Sequence, residues 1–179
     1  MVLTTALYAS LSYGWQDFPL LHPDVTNDWV TRVEAGATRG DNGFYAVLQL
    51  SAHNGPYLYY EPPPTTFAGD VRFTQTGFGV RHTLALGRFR LVPHVDAGAA
   101  FADVGMNAAY FHANVQPLLA PNALGLHTVG LWAQAGADLA WPVVPDAVDV
   151  YLAPDVGVMT IGGLEPTLDI RLGLTAHLP

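Results

Sequence analysis

The chain has no cysteine and no lysine. The first absence excludes disulfides, thiolate metal sites and thiol catalysis, and it suits an oxidising envelope compartment. The second leaves arginine as the only fixed cation: seven Arg stand against fifteen acids, for a formal net charge of −8. An acidic chain without a basic stripe is a poor match to nucleic acid. Charge of either sign is scarce. Only 12% of the 179 residues are charged, where about 25% is usual for a soluble domain. Long apolar runs are missing too. Although 50% of the residues are hydrophobic, a charge or amide interrupts every stretch that would approach the ~18 residues of a helical membrane span. No basic leader or cleavage site opens the sequence, and strand patterning sets in around Leu3, so an export signal is expected to have been left out of it. The length suits one domain, residues 1–179, with a sizeable core. These absences leave an apolar, charge-poor fold that meets lipid without helices.

What is present is alternation with period two. Between Phe73 and Phe101, Gln75, Gly77, Gly79 and Arg81 fall on one face and Thr76, Phe78, Val80 and Leu84 on the other. After a turn near Gly87, Arg90, His94, Asp96 and Gly98 oppose Leu91, Pro93, Val95, Ala97, Ala99 and Phe101. That is a hairpin of two long antiparallel strands. Similar runs begin near Val2, Trp29, Phe44, Val129, Val148 and Leu168, giving eight strands in all. A soluble sandwich would bury the apolar face and show a well-charged polar one. A membrane barrel turns the apolar face to lipid and packs glycine and paired charge inside. The pattern therefore predicts an all-β, closed eight-stranded antiparallel transmembrane β-barrel, with Leu7, Leu48, Phe78, Val95, Leu131, Leu152 and Leu172 facing lipid. Segments at about 14–28, 53–70 and 102–127 read as long external loops, with short periplasmic turns between them. Trp15, Trp29 and Phe101 lie toward the long loops and Phe44, Phe89 and Trp141 toward the short turns, which predicts two aromatic girdles.

Several stretches carry a resemblance to a known group: Thr76–His82 (TGFGVRH), Leu91–Ala99 (LVPHVDAGA), Ala133–Asp138 (AQAGAD) and Leu168–Leu174 (LDIRLGL). With them the whole chain resembles the small eight-stranded outer-membrane barrels, of the OmpA-like transmembrane domain and OmpX/Ail type. The resemblance implies a place in the bacterial outer membrane, lipid or lipopolysaccharide as surroundings, and a structural or partner-binding role. Members usually end in an aromatic residue read by the insertion machinery, whereas this chain ends Leu178–Pro179. Either the terminus is cut short or the assembly signal differs.

The candidate sites follow from the faces. Arg32, Glu34, Arg81, Arg90, Asp96, Asp138, Asp169 and Arg171 point inward and are expected to pair, because unpaired charge in a narrow barrel is costly. Arg81 and Arg90 are expected to meet inward carboxylates, a set of Glu34, Asp96, Asp138, Asp149, Asp155 and Asp169, with Asp96, Asp138 and Asp169 among the partners. Such a network would plug the lumen, since eight strands leave width only for side chains; a small pore is the other reading. No histidine pair has metal-ligand spacing, and no cofactor is implied. A lipid-modifying enzyme would need a nucleophile and base at the outer rim. His22, Asp24, Ser51 and His53 are the residues that could converge there, without a recognisable motif around them, so the chain reads as non-enzymatic. Tyr57, Tyr59 and Tyr60 beside three prolines, with Tyr110 and Phe111, are the candidate anchors for a protein or surface-polymer partner. The lipid-facing belt is the alternative contact surface, if the barrel belongs to a larger membrane assembly.

Overall fold

In the computed structural model, residues 5–17, 28–59, 65–105, 108–116, 125–161 and 163–178 are described. Eight strands form: β1 (Thr5–Asp17), β2 (Asp28–Arg39), β3 (Asn42–Tyr59), β4 (Thr65–His82, resuming over Leu84–Leu86), β5 (Phe89–Val104), β6 (His127–Val144), β7 (Val148–Met159) and β8 (Glu165–Leu178). Each pairs antiparallel with the next in sequence, and β1 pairs with β8 from Leu7↔Leu178 to Asp17↔Leu168. The sheet therefore closes into a barrel. The ladder break at Thr83 lies beside Pro93, which has no N–H to give to it. Tight turns at Gly40–Asp41 and Gly87–Arg88 close one end. Both glycines sit at positive φ (61° and 64°), the left-handed conformation such turns require.

The pleat sorts the side chains as the alternation predicts. Leu7, Leu48, Phe78, Val95, Leu131, Leu152 and Leu172 all project outward, from 42% exposed at Leu48 to 67% at Leu131. Inside, Arg32, Gln49, Asp169 and Arg171 are at most 1% exposed. Burial is thus inverted relative to a protein folded in water, where a continuous apolar exterior of this size would drive association. Aromatics gather at both rims of that exterior. Tyr13 stacks on Trp29 at 5.0 Å toward the long-loop end, while Phe89 meets Trp141 edge-on at 5.6 Å toward the tight turns.

One expected boundary is corrected. The segment 53–70 is not mostly loop: β3 and β4 stay paired out to Tyr59↔Thr65. Beyond Trp29↔Ala52 and Val71↔Val104 neither strand pairs with another described residue, so among the described residues the hairpin runs past the ladders of the barrel. Pro56 stands opposite Ala68, and among the described residues no third strand asks it for an N–H.

Candidate functional site: the lumen and its outer rim

The lumen is two-layered. Toward the tight turns lies a charged network. Arg32 on β2 donates from Nε to Glu34 at 2.7 Å and from Nη2 to Asp96 at 2.5 Å, and the Tyr45 hydroxyl donates to the same Asp96 oxygen at 2.7 Å. Arg81 reaches Asp138 at 3.2 Å and Glu34 at 3.5 Å, its guanidinium 4.7 Å from the centroid of the Tyr8 ring. His94 lies 3.1 Å from Asp155 and 3.6 Å from Asp138. Arg171 pairs with Asp155 and donates to Ser12 at 3.3 Å. Strands from the whole circumference are tied together in this way, which a plug requires.

Arg90 meets the inward carboxylate Asp149 at 3.0 Å and, on the turn, Asp146 at 3.9 Å. It follows the turn at Gly87–Arg88 directly, so it sits at the lumen mouth, where Asp149 also binds His177 at 2.9 Å. Asp169 has no arginine among the described residues; it accepts from Gln49 Nε2 at 3.0 Å, because it lies nearer the other end, opposite Gln16.

Room for the network is made by small residues. A Cβ on Gly79 would come within 2.5 Å of the Tyr45 hydroxyl and 2.7 Å of Asp96 Cβ. Gly173 plays the same part for the Tyr151 ring. Gly79→Ala is therefore expected to cost about 1–3 kcal/mol by overpacking, read as a lower urea midpoint in detergent. Removing the ring as well, with Tyr45→Ala, should be less than additive with it. Full additivity would mean that the two side chains do not compete for this space.

Toward the long loops the interior changes character. Val71, Phe73, Ala102, Val104, Trp132, Met159 and Ile161 pack into an apolar cluster, and Trp132 donates its indole N–H to the Thr76 carbonyl at 3.3 Å. The expected interior was polar, so this layer is a correction. Phe73 and Val71 share the parity of Gln75, and carrying that alternation to the strand end would have found them. Tyr8, Tyr45 and Tyr151 were also on the inward parity but not among the expected network.

The rim residues are only partly brought together. Ser51 faces the interior and is buried, so it is not a rim nucleophile. His22 and Asp24 lie outside the described residues, as does the His53 side chain. Tyr57 and Tyr59 belong to β3 rather than to a loop; Tyr60 lies outside the described residues, and so does the Phe111 side chain. Tyr110 sits in a short helical segment (Ala108–Tyr110, then Phe111–Val115) and is 52% exposed.

No family model and no curated protein matches the chain. Among solved structures it is similar to a major outer membrane protein of Thermus thermophilus (11% identity, 98% of this chain and 100% of that one, TM-score 0.64). It is also similar to Neisserial surface protein A (14%, 96% of each chain, TM-score 0.56). A third is Ail of Yersinia pestis, solved with the heparin analogue sucrose octasulfate (11%, 99% and 100%, TM-score 0.52). At such identities the likeness is one of fold: the chain has the architecture of the small eight-stranded outer-membrane barrels.

Proposed function

We propose that this chain spans a bacterial outer membrane as a non-enzymatic barrel with a plugged lumen, and that it binds a protein or uncharged surface-polymer partner at its long-loop rim. The observation that carries the reading is the β3–β4 hairpin that continues past the barrel ladders. A closed barrel has no edges, yet among the described residues neither strand of this arm has an outer partner, and it projects about 23 Å if seven residues extend at ~3.3 Å each. Tyr57 and Tyr59 lie on it. Exposed strand edges pair readily with another chain, and an isolated hairpin gains stability by doing so.

Charge narrows the partner. Segments 14–28, 53–70 and 102–127 contain Asp17, Asp24, Asp28, Glu61, Asp70 and Asp103, and the one arginine at this level is Arg72, the register partner of Asp103. A sulfated sugar such as the heparin analogue solved with Ail would meet like charge there. A neutral or basic surface fits better.

A photo-reactive group placed at position 57 in intact envelopes tests the site. One dominant cross-linked species is expected, lost when residues 54–69 are replaced by a Gly-Ser turn. Cross-links confined to a group at position 95 would move the interface to the belt, and release of lipid hydrolysis products would favour an enzyme. Planar-bilayer recordings are expected to show no steady conductance, because both lumen layers are filled; a large stable channel would contradict the plug.

A further inference from the structure

Strand register lines up three rows on the outer face at the tight-turn end. The outermost is polar: Thr5, Arg39, Asn42 and His82 are successive cross-strand partners on β1 to β4, and all are exposed. His82 and Asn42 share a hydrogen bond of 3.0 Å. The next row toward mid-membrane is Leu7, Ala37, Phe44 and Val80, followed by Ala9, Ala35, Ala46 and Phe78. The low alanines leave a shallow, open groove in the wall, floored by Ala9, Ala35, Ala37 and Ala46. Leu178 borders it on one side. Phe44 borders it on the other, braced by stacking on Phe78 at 5.7 Å.

Arg39 is the outward residue directly after Ala37 on β2, about 7 Å further along the strand. It belongs to the outward row next to the groove's lining, beside Thr5 and Asn42, and has no ion pair with a described residue, Asp41 of the same turn included. An apolar groove thus lies beside an uncommitted guanidinium, with an amide and an imidazole alongside.

We propose that this groove holds an anionic glycerophospholipid of the adjoining leaflet, its phosphate on Arg39 and Asn42 and one acyl chain along the alanine floor. The proposal rests on the reading that the barrel spans a bilayer. An acyl chain gains no hydrophobic free energy by leaving lipid for protein. Selectivity must come from close packing in the groove and from charge-assisted hydrogen bonds between phosphate and guanidinium. A zwitterionic headgroup brings the same phosphate but sets a second cation beside Arg39, and like charges at this range repel. The anionic lipid is preferred for that reason.

The test uses the purified full-length barrel in detergent with equal amounts of chain-matched phosphatidylglycerol and phosphatidylcholine, and native mass spectrometry counts the lipids retained. One phosphatidylglycerol is expected in several-fold excess over phosphatidylcholine. Arg39→Gln should bring the ratio near parity, Ala37→Phe should abolish retention of both lipids, and Arg72→Gln at the opposite end should change nothing. Retention indifferent to the headgroup, or unaltered by Arg39→Gln and Ala37→Phe, overturns the proposal. So does a lipid-free dimer that Ala37→Phe dissolves, which would assign the groove to a second copy. Heat-modifiable gel mobility is read in parallel. A folded barrel without lipid preference refutes the site alone, whereas loss of the mobility shift in the wild type refutes the membrane reading beneath it.

Discussion

Arg32→Met is expected to cost the barrel about 3–5 kcal/mol, because removing one partner leaves buried charge uncompensated. Arg32 is the hub of the lumen. It is fully buried, and it binds Glu34 and Asp96 while standing 5.9 Å from the Tyr45 ring centroid. Its loss strands two carboxylates that are themselves at most 6% exposed. Arg81 retains a 3.5 Å contact to Glu34, but Asp96 would keep only the Tyr45 hydroxyl among the contacts described here. Reversible urea unfolding in detergent measures the cost. The companion variant, Arg32→Met with Asp96→Asn, should recover part of the loss by removing the stranded charge. A single-variant cost below ~1 kcal/mol, of the size of an exposed ion pair, would show that water already screens this layer and that the lumen is open.

The sequence reveals the wall more readily than the contents. Which face of each strand meets lipid is a local property with period two, so Val95 and Asp96 are assigned by their immediate neighbours. Closure follows from eight consecutive antiparallel pairings. The ion pairs are not local. Arg32 and Asp96 are 64 positions apart, and Arg171 and Ser12 are 159 apart, so the stagger of the strands decides who meets whom. Arg90 shows the consequence: parity places it inside, and its depth decides that Asp149, out of all the inward acids, is the one it meets. The apolar inner layer was hidden for another reason. Hydrophobic residues such as Phe73 and Trp132 on an inward parity look like exceptions in a barrel expected to be polar within. The hairpin arm was hidden by its own breakers, since Gly55, Pro56 and Pro62–Pro64 mark loops in most contexts. Among the described residues no neighbouring ladder runs beside Pro56, which makes it acceptable in a strand.

Val95→Arg is the substitution that separates a barrel in lipid from one in water. Val95 projects outward, 56% exposed, and lies midway along β5 between Phe89 and Phe101, the aromatics toward its two ends. Beside it across the sheet stand Val80 and Ala135, which offer no partner to a charge. At the midplane of a bilayer an arginine on this face costs about 2–4 kcal/mol, falling to ~0–1 near the interfaces. On a water-exposed surface the same change would stay within about ±0.5 kcal/mol. Leu84→Arg, close to the tight turn on the same face and 42% exposed, supplies the shallow comparison. Unfolding free energies in lipid vesicles should therefore differ by at least ~1 kcal/mol between the two variants. The side chains replaced are similar in chemistry and exposure, so depth is the variable that remains. Equal, small effects at both positions would mean that the apolar exterior is covered by something other than lipid, and the outer face would then have to be explained as a protein interface.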